Sequence, residues 1–232
     1  MLEWRLPMSN KVLDLIQPIS KKDQVVAAIK DAILSGTIHP GDQIVESRIA
    51  QQLGAGIPLV REALIELEYQ GYVQKTPYKG TSVTKLNTKD IEKIFRLRVE
   101  LEPLAIEWAK EQITDADIAE LRAMVERMER AAKEVDLNQF YESDLSFHRK
   151  LWALSDNPYL ADALERIVAP LFAFFVMKTT RKRESYIESA ALHARLVDAL
   201  PKTNAAGLRK LMRESLAGWR DDMLKLLLLA DQ

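Results

Sequence analysis

The stretch from Asp42 to Lys75, DQIVESRIAQQLGAGIPLVREALIELEYQGYVQK, constrains this 232-residue chain more than any other. Two short helical patterns there flank a glycine-containing turn, LGAG. In the second pattern Val60, Ala63, Leu64 and Leu67 keep one apolar face, and the pattern stops at Gly71. Helix, tight turn, helix and then a short β-like segment is the sequence form of a winged helix-turn-helix. The remainder of the chain is then expected to decide when DNA is bound.

The flanking sequence completes this unit. Residues 1–20 mix Pro, Ser and Asn with a few apolar side chains and read as a tail that docks on its own or a partner subunit. From Lys22 onward, Val26, Ile29 and Ile33 share a helix face that ends at Gly36. The HPGD segment, His39 to Asp42, is a turn by composition. Helices are expected at about 46–53 and 58–70, and YVQK and TSVTK read as two strands joined by TPYKG. Residues 21–86 are thus predicted to form three helices with a β-hairpin wing.

Composition changes at Asn87. Almost everything beyond it is helix-forming and amphipathic, and six helices are expected over residues 87–232. Asn87 or Thr88 caps the first, and Thr114 with Asp117 has capping-box spacing at the start of the second. The others run over about 137–154, 159–180 with Pro170 inside, 185–200 and 204–230. Short links between them predict an antiparallel bundle. The fold class is therefore mainly α, a winged helix-turn-helix followed by an all-helical bundle. Along the first bundle helix the inward stripe is expected to be Ile91, Ile94, Phe95, Arg98, Leu101, Ala105 and Trp108.

Cysteine is absent, which excludes disulfides and thiolate metal sites and suits a reducing compartment. The longest apolar run, Val168 to Met177, is too short to span a bilayer. The N-terminus lacks a signal-peptide pattern, so the expected location is the cytoplasm. A formal net charge of −1 leaves nucleic-acid binding open, because only a local basic surface is needed.

The order of elements, with ILSGTIHPGDQIVESRIAQQLG, VREALIELEYQGYV and the KG of the wing, closely resembles the GntR family of bacterial transcription regulators. The segments LRVELEPLA, DLSFHRKL and LHARLVDAL resemble the effector-binding FCD domain of that family's FadR branch. The resemblance covers about residues 20–230. It implies a homodimer that binds a palindromic double-stranded DNA operator and answers to a small organic acid, with no membrane partner.

Two departures stand out. Family members start the recognition helix with Ser or Thr, Arg, Thr or Ala, and Pro; here the stretch is Gly56, Ile57, Pro58 and Leu59. Glycine is an acceptable cap and proline suits the first turn. The missing arginine removes a bidentate guanine contact worth roughly 1–3 kcal/mol of discrimination. Ile57 offers apolar contact, for instance to a thymine methyl. The DNA-facing set is then Arg48, Gly56, Ile57, Arg61, Lys75, Lys79 and Gly80, with much of the contact going to phosphates and weak, GC-poor specificity. Each of these charges taken singly reads equally well as a solvated surface group.

In the helical half, Asp144 and His148 lie four apart and share a face, and His193 lies on an inward stripe with Val197 and Leu200. Carboxylate and imidazole groups converging in a bundle suit a divalent metal such as zinc or nickel. A hydrogen-bonded Asp144–His148 pair with His193 satisfied in the core is the plain alternative. The family's usual set is one Asp and three His, and the resemblance puts Ser215 where the third histidine would be. Ser215 shares a stripe with Leu208, Leu211, Met212 and Trp219, so it is expected to face the pocket. Arg98 lies on an apolar stripe, where a charge must be paired or serve a ligand. It reads either as a carboxylate clamp, as in the family, or as an internal ion pair with Glu102. Arg149, Trp152 and Tyr186 are further candidates for the pocket wall.

These residues predict a ligand-responsive DNA-binding regulator with no catalytic residues. A metal-dependent hydrolase or lyase of a small carboxylate is the competing class, and no HExxH, nucleophile elbow, P-loop or dinucleotide fingerprint supports it. A sensor with a degenerate DNA-binding head is the third, motivated by Gly56, Ile57 and Pro58.

Overall fold

The computed structural model describes residues 20–178 and 183–230. The expected N-terminal tail falls at residues 1–19, outside the described residues. The chain opens with α1 (Lys21–Leu34), β1 (Gln43–Ile44), α2 (Glu46–Leu53), α3 (Ile57–Tyr69), β2 (Val73–Thr76) and β3 (Gly80–Val83). It continues through α4 (Thr88–Gln112), α5 (Asp115–Glu134), α6 (Leu137–Ala153), α7 (Pro158–Lys178), α8 (Arg183–Ala199) and α9 (Ala205–Ala230).

The first half is a winged helix-turn-helix. Gly54 ends α2 at φ 61°, a left-handed conformation that favours glycine, and Ala55 N–H closes the turn onto the Ala50 carbonyl at 2.9 Å. Gly56 starts α3 without a side-chain cap, with proline in the first turn. Ile29 and Ile33 of α1, Ile49 of α2, and Val60, Leu64 and Leu67 of α3 close a core against Val73 and Val83 of the wing. The sheet is antiparallel in the order β1-β3-β2, with Lys75 opposite Thr81 and Thr76 opposite Gly80. The two wing strands begin within one residue of where they are expected, and the second ends two residues earlier, at Val83. The strand β1 escapes the sequence pattern because two residues are too few to show alternation.

The six helices that follow form a bundle in which α4 packs on α6, α7 and α9, and α5 on α6 and α8. Both expected caps are present: Asn87 with Asp90, and Thr114 with Asp117, each form a full capping box. The stripe on α4 needs correction. Ile94, Leu101 and Trp108 are only half-buried, whereas Glu102, Ile106 and Ala109 are buried. A 25-residue helix enclosed by three neighbours buries more than one narrow stripe. Pro103 interrupts the α4 ladder and frees the Val99 carbonyl, which accepts from Arg213 Nε of α9 at 3.2 Å. Pro170 lies inside α7, which runs on through it.

The winged unit is docked on the bundle through α6 and α7. Gly71, at φ 83°, sits so close to α7 that a Cβ there would come within 2.4–2.5 Å of the Ala169 and Pro170 backbone. Ala173 of α7 joins the winged unit's core. Lys30 Nζ of α1 donates to Glu142 Oε1 of α6 at 2.6 Å. Arg149 of α6 lies 5.5 Å over the Tyr69 ring and pairs with Glu165 of α7.

Candidate functional site

The bundle encloses a cavity of about 40 Å³ between α4, α6, α7, α8 and α9. Asp144 and His148 enter from α6, His193 from α8, Arg98 from α4, and Ser215 and Trp219 from α9. The i, i+4 spacing on α6 does bring Asp144 and His148 onto one inward face. His148 Nε2 is 3.4 Å and His193 Nε2 3.0 Å from Asp144 Oδ1, and the two Nε2 atoms are 3.5 Å apart. Among the described residues this is the group of His, Asp and Glu side chains that could hold a metal ion.

The partners of the remaining ring nitrogens decide what the three atoms can bind. His193 Nδ1 lies 2.8 Å from the Ser189 carbonyl, which can only accept, so Nδ1 carries the hydrogen. His148 Nδ1 lies 2.8 Å from Glu102 Oε2. Burial opposes ionisation of Glu102, but Arg98 and then His148 outweigh it and hold its carboxyl down to about 2. It too is an acceptor. Each neutral histidine therefore presents an Nε2 lone pair, and both aim at a carboxylate oxygen.

Three acceptors facing one another require a cation between them. A proton on His193 is one solution: burial opposes the imidazolium, yet Asp144, with the Ser189 carbonyl, raises its pKa. A divalent ion is the other. The three distances define a triangle whose corners are all about 1.9 Å from its centre, so a point about 2.1 Å from every corner exists, the usual zinc–nitrogen or zinc–oxygen length.

The same cavity also carries a donor pole beside this acceptor pole. Arg98 is wholly buried, with Nε donating to Glu102 Oε1 at 2.5 Å. The internal ion pair expected from sequence is thus present, but it uses only one edge of the guanidinium. Arg98 Nη1 and Nη2 and Trp219 Nε1 are buried without a hydrogen-bond partner. The guanidinium also lies 4.9 Å from the Trp219 ring centre, 5.2 Å from Phe95 and 5.6 Å from Phe172. Glu102 links the poles, one oxygen on Arg98 and the other on His148. Sequence spacing reveals the first contact and hides the second.

Ser215 lines the cavity, but its hydroxyl donates to the Leu211 carbonyl one turn back, at 3.0 Å. Of the other wall candidates, Arg149 pairs with Glu165 of α7 and faces Tyr69 of the winged unit; Trp152 and Tyr186 are buried outside the cavity lining.

On the winged unit, Arg48, Ile57, Arg61, Lys75 and Lys79 are all exposed, as are Gly56 and Gly80. Arg61 is held by Glu46 of α2, with Nη2 at 2.7 Å and Nε at 3.2 Å from Oε2. Arg61 and, more weakly, Lys75 hold the Glu46 carboxyl below its ordinary range, and Lys75 N–H donates to Glu68 Oε1 of α3 at 3.1 Å.

A winged helix-turn-helix docked on a helical bundle with a buried polar cavity is the build of a DNA-binding regulator. Comparison with known proteins makes this specific. Residues 21–83 match the model for bacterial regulatory proteins of the gntR family, and residues 93–218 match the FCD domain. The chain belongs to the GntR family and carries an FCD domain.

The HTH-type transcriptional regulator McbR of Escherichia coli is 29% identical over 144 residues, 62% of this chain and 65% of that protein. The uncharacterized HTH-type transcriptional regulator YdhC of Bacillus subtilis is 29% identical over 140 residues, 60% of this chain and 62% of that protein. The matched stretch thus spans just under two thirds of either relative. The solved structure of E. coli McbR/YncC has the same fold, with a TM-score of 0.70 at 24% identity over 90% of this chain and 98% of that one. The family places the chain among transcription regulators rather than enzymes. No helix among the described residues is long and apolar enough to cross a membrane.

Proposed function

We propose that the chain is a metal-assisted sensor of a small carboxylic acid that controls its own DNA binding as a homodimer, with residues 21–86 as the DNA-binding domain and 87–232 as the sensing and dimerising one. The carrying observation is one cavity that brings together three converging acceptors and unpaired guanidinium and indole N–H groups. Asp144, His148 and His193 hold the ion, zinc or nickel, with Glu102 and the Ser189 carbonyl orienting the two rings. A bound divalent ion supplies a Lewis-acidic position that an acid oxygen can occupy.

Charge balance supports an anionic effector. Arg98, Glu102 and Asp144 sum to −1 with neutral histidines, so a divalent ion leaves the buried site at +1. A monocarboxylate restores neutrality, and its second oxygen suits the free edge of Arg98. The cavity, about 40 Å³, is roughly three water-sized positions, so the acid has only a few carbon atoms. Ser215 adds a wall of small volume there.

The sensor can reach the DNA-binding surface because α6 and α7 each have two working faces. On α6, Asp144 and His148 face the cavity while Glu142 and Arg149 face the winged unit. On α7, Phe172 lines the cavity and the next residue, Ala173, belongs to the winged unit's core. A ligand that prefers one position of these helices thereby biases the orientation of the DNA-binding domains in the dimer.

The recognition surface comprises Arg48, Gly56, Ile57, Arg61, Lys75, Lys79 and Gly80. Glu46 fixes Arg61 for phosphate contact, and Ile57 offers an apolar surface to thymine methyls. The test is titration of short-chain acids against the protein on DNA enriched from a random duplex library, with and without added zinc. The acid should shift DNA affinity only when the ion is present. A shift that persists in chelator would remove the metal from the account.

A further inference from the structure

Arg98 has no exposed surface, and Asp144 and His148 are buried beside it. A solute that reaches them must therefore pass the cavity wall. Of the residues lining the cavity, the half-buried ones are Leu192 and His193 of α8 and Ser215 and Trp219 of α9. The wall is thus thinnest along the α8–α9 seam. These two helices are anchored apart, α8 chiefly on α5 and α9 chiefly on α4. The seam can part locally while both anchors stay packed.

Trp219 is the part of that seam which covers the guanidinium. Its ring centre is 4.9 Å from Arg98 Cζ, 5.5 Å from the Phe95 ring centre and 5.4 Å from that of Phe172. Side chains of a helix lean back over the residues three and four before them. Four before Trp219 is Ser215, small and with its hydroxyl folded onto the Leu211 carbonyl. Directly before it is Gly218. Glycine inside a helix weakens it relative to alanine, through its extra backbone freedom. Here neither space nor conformation demands glycine: residue 218 lies within α9, and a Cβ there would meet no atom within 4 Å. A helix weakened at one residue without a packing return, next to the indole that closes a cavity, has the form of a hinge.

We propose that Trp219 is the gate of the cavity and Gly218 the hinge on which α9 flexes, admitting small solutes between α8 and α9. Flexing at Gly218 withdraws the indole from Arg98, and the small side chain of Ser215 leaves room for it to pass. This rests on the sensing reading above and adds the route of entry and its size limit. The indole closes again only over an acid short enough to lie within about 40 Å³. Closure excludes water from Arg98 and so strengthens its hold on a carboxylate.

The probe is methylglyoxal, a small dicarbonyl that modifies arginine, with Arg98 followed by peptide mass spectrometry in the folded full chain. Wild-type Arg98 should react slowly, at a rate that low urea leaves unchanged, because a local opening exposes little surface. Gly218→Ala should melt higher and react about 5-fold more slowly, since alanine favours the unflexed helix. This variant is decisive because it cannot act by loosening the bundle. Trp219→Ala should react about 10-fold faster than wild type, and Trp219→Phe, which keeps a ring over Arg98, within about 3-fold of it. A Gly218→Ala rate equal to that of wild type overturns the hinge. A wild-type rate that climbs steeply in low urea means that Arg98 is reached only by unfolding, and it overturns the gate. Acetate with zinc should protect Arg98 in wild type. No protection, with the order of the variants intact, overturns the carboxylate reading and leaves the gate standing.

Discussion

Replacing Glu102 with glutamine tests whether one buried carboxylate organises both poles of the cavity. Glu102 is 1% exposed and gives one oxygen to Arg98 Nε at 2.5 Å and the other to His148 Nδ1 at 2.8 Å. Glutamine preserves the shape but offers a single acceptor oxygen. Whichever donor takes that oxygen, the other meets an amide N–H₂, two donors facing each other. Arg98, wholly buried, also loses its counter-charge, and breaking a buried pair costs about 3–5 kcal/mol. For a chain of this length each kcal/mol moves the melting temperature by about 2–4 °C. The variant should therefore melt roughly 6–20 °C below wild type. Loss of an outer partner to a ligating histidine costs about 10–100-fold in metal affinity. Zinc affinity, measured by competition with a chromophoric chelator at a temperature where both proteins are folded, should fall within that range. A folded Glu102→Gln variant with wild-type zinc affinity would refute the claim that Glu102 sets the His148 tautomer.

Gly71→Ala should both strain the left-handed φ of 83° and drive a Cβ into the Ala169–Pro170 backbone. The φ penalty alone is about 1–2 kcal/mol. Thermal melting should show the loss, and DNA affinity in the variant should no longer respond to the acid; a retained response would mean α7 is not the route. Ser215→His replaces a hydroxyl now spent on the Leu211 carbonyl with a fourth ligand. It should tighten zinc binding, and calorimetry showing unchanged or weaker binding would place residue 215 outside coordination reach. Hydrogen bonds from Lys150, and then Thr114, hold the Asp117 carboxyl down to about 2. A depressed folded pKa stabilises above the unfolded value of about 4, and that stability is lost as the pH falls toward 2. The urea-midpoint difference between wild type and Asp117→Asn should therefore be present at pH 6 and shrink below pH 4; a difference independent of pH would contradict the assignment.

Much of the fold can be read from local chemistry. The α2 and α3 patterns, the capping boxes at Asn87 and Thr114, and the halt at Gly71 each act over one turn of chain, so sequence displays them. The i, i+4 spacing of Asp144 and His148 belongs to the same kind. What sequence conceals depends on neighbours distant along the chain. The second oxygen of Glu102 meets His148 across two helices, and the Ser189 carbonyl orients His193 through the backbone, which has no residue signature. The Val99 carbonyl freed by Pro103 finds Arg213 more than a hundred residues later. Likewise Gly71 ends a helix by its local pattern, but its close approach to Pro170 is a matter of docking.

The central claim is that Asp144, His148 and His193 form a cation site, and metal content tests it most directly. Protein purified without an affinity tag or added metal, dialysed against buffered zinc, should retain one ion per chain by elemental analysis. Folded Asp144→Asn, handled identically, should retain none. Wild-type protein that retains no zinc or nickel would contradict the account and leave a proton shared by Asp144 and His193 as the occupant of the site.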